Sequence, residues 1–176
     1  MEFFDVIRKR YSHKAAFDPT SRPTDEELRH IVEAGMAAPS AMNLQSPEFV
    51  IITEAGLLRQ IGEITDNAVL RSAPAMIAVL GNPEAAEAFY REDYAAATEN
   101  ILLAGTALGY SVGWLDGIFR DAAVREPVSA LLNIPQDRLL CVVIPVGKPG
   151  EEGARRAKKP FEERASWNGY AVRRPS

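Results

Sequence analysis

Three almost entirely apolar segments constrain the fold of this 176-residue chain most strongly. They cover residues 49–53, 75–80 and 139–146, and none alternates apolar with polar side chains. Strands without such alternation are typical of sheets that are covered on both faces. Helical segments separate the three strands, so the pattern alone favours a doubly wound parallel sheet. We expect one domain that spans residues 1–176.

The longest predicted helix covers residues 84–109, in one or two pieces. Its apolar residues occupy more than one side, because Leu102 and Leu103 lie off the main stripe of Tyr90, Tyr94, Ala97, Ile101, Ala104, Gly105 and Leu108. A helix that is apolar on several sides is buried on several sides. We therefore expect this helix to pack against its own sheet and against another subunit.

Two glycines near the end of this helix are unfavourable for helix formation. Gly105 and Gly109 each lower the helix propensity by about 1 kcal/mol relative to Ala. Close approach of another backbone would justify that loss. The alternative is that Gly109 simply ends the helix.

Shorter helices are predicted from capping signals and apolar spacing. Thr24 and Glu27 form a capping box, which predicts a helix that starts there and stops at Pro39. A second helix is expected from about 55 to 65. Asp121 can cap a short turn, and we expect the helix proper to begin at Pro127.

The charge and the cysteine content exclude several classes of function. The formal net charge is −4, which argues against a nucleic-acid partner. Cys141 is the only cysteine, so an internal disulfide is impossible and a cytoplasmic location is expected. We interpret Cys141 as an inert core residue. The first residues do not resemble a signal peptide, and the apolar stretch 101–115 is too short to span a membrane.

The familiar catalytic and nucleotide-binding motifs are absent. The two histidines and the cysteine do not have the spacing of a metal site. The G-x-S-x-G motif of hydrolases, the Walker phosphate loop and the G-x-G-x-x-G dinucleotide fingerprint do not occur. No metal is expected, and no side-chain nucleophile stands out.

Four polar or glycine-rich segments remain as candidate binding elements. Residues 10–14 place Arg10 and Lys14 on either side of Ser12, which suits an oxygen-rich anion such as a phosphate. The loop 38–47 offers neutral hydrogen-bonding groups that suit a heteroaromatic edge. Residues 112–118 place glycines around a tryptophan, and the cations of residues 155–159 form a second basic segment. Each alone is more typical of an ordinary loop or a solvated surface. Together they are consistent with a flavin nucleotide site.

These segments resemble the FMN-dependent nitroreductase family over nearly the whole chain, and the sequence is similar to its short members. The resemblance rests on KRYSHK at 9–14 followed by Phe17, on APSAMNLQSP at 38–47, and on the segment 95–114 that ends in Trp114. It extends to residues 132–149 and to the tail 156–170. Five motifs in the same order support the resemblance more strongly than any one of them does.

The resemblance implies a different fold from the pattern alone. It implies an α+β fold with a central, largely antiparallel sheet flanked by helices, built as an intertwined homodimer with the flavin at the subunit interface. We follow the resemblance, because periodicity does not determine strand direction.

The resemblance also implies the cofactor-binding residues. The phosphate and ribityl end would be bound by Arg10, Ser12, Lys14, Arg156 and Lys158, with Tyr11 contributing backbone and packing. The partner subunit would contribute Pro39, Ser40, Ala41, Asn43 and Gln45. The flavin ring would lie along Trp114, Leu115, Asp116 and Gly117, with a backbone N–H near flavin N5.

Three departures from the family pattern concern the substrate more than the cofactor. Ala41 stands where a second serine is common, so one hydrogen bond is lost. The tryptophan that commonly follows the Gln-Pro pair is missing, since Ser46 and Pro47 follow Gln45. Asp116 stands where several members have Glu or Gly.

The implied reaction is carried by the cofactor. NADH or NADPH would deliver a hydride to flavin N5, and two electrons would then pass, in a ping-pong sequence, to a nitroaromatic, a quinone or a similar small acceptor. No catalytic side chain is assigned. Two alternatives remain open: another flavin reaction on the same fold, such as dehalogenation or flavin breakdown, and a non-redox FMN-binding protein.

Overall fold

The computed structural model describes residues 1–151, 153 and 155–172. Its centre is an antiparallel sheet, in which the described strands follow the order β1-β2-β4-β3. The strands are β1 (Glu48–Ile52), β2 (Ala75–Gly81), β3 (Ser111–Val112) and β4 (Leu139–Gly147). In the register of the sheet, Ile77 of β2 lies between Ile51 and Ile144. The predicted α+β fold is thus confirmed, and the parallel sheet favoured by the pattern alone is wrong.

Helices cover the sheet on both faces. They are α1 (Phe3–Lys9), α2 (Asp25–Met36), α3 (Ala55–Thr65), α4 (Ala68–Ser72), α5 (Tyr90–Ala107), α6 (Ala122–Leu131) and the short α7 (Phe161–Arg164). No helix in the described part of the chain is long and apolar enough to cross a membrane.

Alternate side chains of β2 enter two separate cores. Met76, Ala78 and Leu80 pack on the side of α3, α4 and α6. Ile77 and Val79 pack on the opposite side, against α2 and α5. All seven residues of β2 are buried. The two-sided burial explains why the sequence of this strand has no polar alternation.

Strand β1 is less buried than the sequence predicts. It was expected to be buried on both faces, but among its residues only Ile52 is buried, and Ile51 is 41% exposed. Among the described strands β1 pairs with β2 alone and forms an edge of the sheet. The lack of polar residues at 49–52 therefore does not reflect burial within one chain.

The helix boundaries also differ in several places. The capping box at Thr24 is present and the helix from Ala55 is confirmed, but α2 ends at Met36, before Pro39. The long helix α5 begins at Tyr90 rather than near residue 84. Helix α6 starts directly after its cap Asp121 and continues through Pro127, so the predicted start at residue 127 is wrong.

The glycines at the end of α5 have two different roles. A Cβ on Gly105 would lie 2.6 Å from Val112 Cγ1 of β3, so this glycine allows close packing within its own chain. The expected approach of another backbone at Gly105 is therefore wrong. Gly109 has a φ of +81° and follows the last turn, as the simple helix-ending interpretation requires.

Candidate functional site

The segment 10–14 runs beside β3 in an extended conformation. Ser12 forms a parallel bridge with Val112, and the His13 N–H donates to the Val112 carbonyl at 2.8 Å. The Ser12 Oγ accepts a hydrogen bond from the Trp114 N–H at 3.1 Å. Two of the predicted elements, which are 102 residues apart in sequence, are thus joined directly.

Alternate side chains of this extended segment point in opposite directions. Tyr11 and His13 lie on one side, where the Tyr11 hydroxyl and His13 Nδ1 are 3.1 Å apart. Arg10, Ser12 and Lys14 occupy the alternate positions. The three residues predicted to bind a phosphate therefore belong to one side of the segment.

Arg10 is the most constrained cation of the segment. Its Nε lies 3.1 Å from Glu99 Oε1 on α5, and its side chain is 23% exposed. The Nε atom itself is buried, and its N–H has no aligned hydrogen-bond acceptor among the described residues. Lys14, by contrast, is exposed. No described hydrogen bond or ion pair uses the terminal guanidinium nitrogens of Arg10, and such nitrogens are suited to an anionic ligand.

His13, to which the sequence analysis assigned no role, is part of the scaffold. It is buried, its Nε2 is 3.3 Å from the Ala16 carbonyl oxygen, and its ring packs edge-on against Phe17 with the centroids 4.7 Å apart. These contacts fix the side of the segment that faces away from Arg10 and Ser12. An isolated histidine between cations gave no sequence signal for burial.

The basic tail reaches the same segment through a different residue from those predicted. The Arg155 guanidinium lies 4.9 Å from the centre of the Tyr11 ring, and Gly153 packs against Tyr11 and His13. A cleft of about 510 Å³ lies here and includes Lys9 and Arg155 in its lining. Arg156 and Lys158 are exposed. The two ends of the chain thus meet, with Arg155 making the described contact.

The loop 38–47 is held by a buried carboxylate. Asp93 on α5 is 3% exposed, and its two oxygens accept hydrogen bonds from the Ala41 N–H at 2.9 Å and the Ser46 hydroxyl at 2.7 Å. Within the loop, the Ser40 hydroxyl accepts from the Gln45 N–H at 2.9 Å. These bonds fix the loop at both ends.

The backbone of this loop is unusual. Met42, Asn43 and Gln45 have φ values of 50°, 55° and 50°, which L-residues adopt infrequently. Such conformations persist where surrounding contacts determine them. The loop therefore presents Asn43 and Gln45 outward in a defined conformation, and both are exposed.

Asp93 was missed by the sequence analysis, although the sequence contains a signal. Asp93, Ala97, Ile101 and Gly105 follow one another at intervals of four residues, and all four are buried. An acidic residue in line with a buried apolar stripe indicates a paired internal carboxylate.

Helix α5 separates the loop from the cationic segment within one chain. Asp93 contacts the loop and Glu99 contacts Arg10, six positions further along α5. Six residues correspond to a rise of about 9 Å and to directions about 120° apart around the helix axis. The neutral and cationic groups of a single chain therefore lie on different sides of α5.

The two glycines of the segment 112–118 differ in the space around them. A Cβ on Gly113 would lie 3.1 Å from both the His13 carbonyl oxygen and Pro145 Cγ, so this position is filled by the chain itself. A Cβ on Gly117 would meet no described atom within 4 Å. Glycine can let a flat ligand approach the backbone closely; the chain itself fills that space at Gly113, whereas such an approach stays a prediction for Gly117.

The remaining residues of this segment are fixed by the sheet and by a salt bridge. The Leu115 carbonyl accepts from the Val143 N–H of β4 at 2.9 Å. Asp116 pairs with Arg120 at 2.8 Å across the short helical turn Gly117–Arg120. Cys141, close by on β4, is buried, and this burial raises the pKa of its thiol to about 11. The thiol is thus neutral near pH 7, as an inert core residue requires.

Comparison with known proteins agrees with the fold and the motifs. The nitroreductase family model matches residues 7–68 and 65–148. A protein of Archaeoglobus fulgidus, with the provisional name NADH dehydrogenase/NAD(P)H nitroreductase, is 34% identical over 133 residues, which cover 73% of this chain and 76% of that protein. Protein DrgA of Synechocystis is 28% identical, with 91% of both chains covered.

Solved structures give the same result. The crystal structure of a Desulfovibrio desulfuricans protein in complex with FMN superimposes with a TM-score of 0.81 at 27% identity, covering 97% of this chain and 98% of that one. A structure from Parabacteroides distasonis has a TM-score of 0.83 and 27% identity, covering 96% and 98%. The fold and the matched motifs are those of a class of oxidoreductases. The chain belongs to the nitroreductase family.

Proposed function

We propose that this protein is an FMN-dependent oxidoreductase that uses NADH or NADPH to reduce nitroaromatics, quinones or similar small acceptors. The observation that carries the proposal is the direct hydrogen bond between Ser12 and the Trp114 backbone, which joins the segment of Arg10 to the segment 112–118. This arrangement brings the cationic segment next to the segment that is proposed to face the flavin ring. The relatives of this chain include proteins whose names contain NAD(P)H nitroreductase, and a similar solved structure contains bound FMN.

The residues present fit the phosphate and ribityl end of FMN. Arg10, Ser12 and Lys14 share one side of an extended segment and offer charged and neutral donors. Arg156 and Lys158 are exposed and would join this group from the tail, which already contacts Tyr11 through Arg155. Tyr11 would act through packing.

The residues beside Ser12 fit the flavin ring. Trp114, Leu115, Asp116 and Gly117 continue from the Ser12 contact, and Gly117 has open space where a side chain would otherwise stand. A backbone N–H of this segment would lie near flavin N5. The absence of a Cβ at Gly117 would allow the ring to approach the backbone closely.

A second copy of the chain would complete the site. Pro39, Ser40, Ala41, Asn43 and Gln45 lie on another side of α5 from Arg10, so they would reach the flavin of the partner subunit. The apolar side chains of α1 are exposed in one chain, at 64% for Phe3, 68% for Phe4 and 44% for Ile7. A homodimer would cover such a surface, which single soluble chains seldom expose.

The protein residues would bind and orient the reacting molecules rather than react covalently. The chemistry that bound FMN supplies is ping-pong two-electron transfer between NAD(P)H and the acceptor. Arg10 and Lys14 would stabilise negative charge that develops on the bound molecule. The Asp93-anchored loop would exclude water from one side of the ring. The neutral, buried Cys141 takes no part.

The absorbance of the purified protein tests the proposal. We expect a yellow protein whose flavin absorbance bleaches when NADH or NADPH is added and returns on addition of menadione. A colourless protein that cannot be reconstituted with FMN would refute the proposal. A yellow protein that neither nicotinamide bleaches would point instead to a non-redox FMN-binding protein.

The Arg10 assignment has its own test. Arg10→Ala should retain less FMN after gel filtration, because a charge-assisted hydrogen bond contributes about 1.5–3 kcal/mol. Arg8→Ala is the matched control, since Arg8 lies on the same helix end and pairs only with exposed Asp5 in the described contacts. Equal FMN occupancy of the two variants would contradict the assignment.

A further inference from the structure

A second cationic cleft lies next to Asp116, on the side of the sheet edge where β4 begins. Its volume is about 400 Å³, and it is formed by α5, the turn Gly117–Arg120, α6 and β4. Phe119, Leu140 and Cys141 are buried and give it an apolar floor. Its remaining lining is dominated by two tyrosines and three arginines. None of the motifs described above accounts for these arginines.

The charges in this cleft do not balance. Arg120 pairs with Asp116 at 2.8 Å. Arg125 Nη1 instead donates to the carbonyl oxygens of Phe119 and Arg120 at 3.3 and 3.4 Å, and Arg91 Nε donates to the Tyr90 hydroxyl at 3.1 Å. Among the described hydrogen bonds and ion pairs, two of the three guanidinium groups thus have only neutral partners, although the charge of Glu92 also acts on Arg91. The cleft has an excess of positive charge.

The aromatic side chains give the cleft a wall suited to a flat molecule. The rings of Tyr90 and Tyr94 are 6.2 Å apart between centroids and tilted by 44°. The Arg91 guanidinium lies 5.5 Å from the centre of the Tyr90 ring. Rings and guanidinium planes together favour a planar aromatic ligand, and the guanidinium groups can form paired hydrogen bonds with a carboxylate or phosphate.

We propose that this cleft binds the anionic group of a planar aromatic substrate next to the flavin site, with Arg91 and Arg125 as specificity-determining residues. This inference rests on the proposed function, because Asp116 belongs both to the cleft and to the segment assigned to the flavin ring. Two sources share the required chemistry. They are the carboxylate of an aromatic acceptor and the 2′-phosphate on the adenosine of NADPH.

Direct binding to the oxidised protein, without any nicotinamide, tests the proposal. Calorimetric titration would compare 4-nitrobenzoate with neutral 4-nitrobenzamide, and adenosine 2′-monophosphate with adenosine. In at least one pair we expect the anion to bind at least about tenfold more tightly than its neutral counterpart, which is the effect of one charge-assisted hydrogen bond. That preference should fall by a similar factor in Arg125→Gln and in Arg91→Gln. Arg125→Lys should keep part of it.

The control variant is Arg59→Gln, an exposed arginine of α3 that lines a separate cleft. It should leave both preferences unchanged. Because Arg125 also contacts backbone carbonyls, the melting temperature of each variant is measured, and the exposed Arg91→Gln provides the result if Arg125→Gln does not fold. A preference confined to the carboxylate pair assigns the cleft to the acceptor, and one confined to the phosphate pair assigns it to NADPH.

The result that would overturn the inference is equal binding within both pairs, or a preference that survives in Arg91→Gln and Arg125→Gln. Flavin bleaching in the same preparations separates the two proposals. Bleaching and menadione turnover without an anion preference would refute only the cleft. A protein without FMN would refute the proposed function, while the titrations would still report on the arginines.

Discussion

Replacing Asp93 would test whether one buried carboxylate fixes the loop that is proposed to cover the partner's flavin. Asp93→Ala removes both hydrogen-bond acceptors of the loop, for the Ala41 N–H and the Ser46 hydroxyl. Ser46 is 5% exposed, so its hydroxyl has little access to water, whereas Ala41 is partly exposed and its N–H can be hydrated. Losing the hydrogen bond of the Ser46 hydroxyl should therefore lower the free energy of unfolding more than losing that of the Ala41 N–H.

The expected loss of stability follows from these environments. A hydrogen bond to a charged group contributes about 1.5–3 kcal/mol, and the partial hydration of the Ala41 N–H reduces the sum, so we expect Asp93→Ala to lower the free energy of unfolding by about 2–4 kcal/mol. Asp93→Asn should lose less than about 1 kcal/mol, because the amide oxygen can accept from Ala41 and the amide N–H can donate to the Ser46 oxygen.

Two measurements check this prediction. Urea unfolding gives the free energy of each variant, and flavin fluorescence gives the dissociation constant of FMN, which should rise in Asp93→Ala more than in Asp93→Asn. Glu92→Ala is the matched control, since Glu92 is the exposed neighbour of Asp93 on α5. An Asp93→Ala variant as stable as the control would refute the anchoring. A strong loss of stability with unchanged FMN binding would separate the loop from the flavin site.

Three further predictions follow from local packing and charge. Gly105→Ala should destabilise the protein by about 1–3 kcal/mol in thermal unfolding, because the new Cβ would lie 2.6 Å from Val112 Cγ1; wild-type stability would contradict this packing. Cys141, whose thiol pKa is raised by burial to about 11, should resist alkylation at pH 8 until the protein unfolds, and rapid labelling of the native protein would contradict its burial. Hydrogen bonds from the Thr24 backbone and hydroxyl lower the pKa of Glu27, so its contribution to stability is present above its unfolded pKa and is lost as the pH falls through its lower folded pKa. Glu27→Gln should accordingly be less stable than wild type at pH 7 and approach it below pH 4 in urea unfolding, whereas a constant difference would contradict this linkage.

The sequence predicted those parts of the fold that depend on local chemistry. The capping box at Thr24 and the buried strands β2 and β4 are confirmed, because caps and apolar runs act within a few residues. Strand direction could not be predicted from the pattern, since parallel and antiparallel strands that are covered on both faces have the same composition. The edge position of β1 was missed because its apolar run resembles that of a strand covered on both faces.

The candidate site was predictable in its residue types but not in its contacts. The motifs at 10–14 and 112–118 suggested one site, and the bond between Ser12 and Trp114 joins them. The pairing of Arg10 with Glu99 and the anchoring of the loop by Asp93 depend on how α5 lies against other elements. Contacts between residues more than 50 positions apart leave little trace in a single sequence.

Helix α5 positions elements of all the proposed sites at once. Asp93 anchors the loop 38–47, Glu99 contacts Arg10, and Arg91 lines the second cationic cleft. The helix is itself fixed by Ala97 and Ile101, which are fully buried, and Ile101 belongs to the core that α5 forms with α2 and the sheet. A rigid element that orients several groups keeps their relative positions more constant than separate loops would. Because the loop and Arg10 lie on different sides of this helix, one flavin site that uses both sets of residues requires two copies of α5.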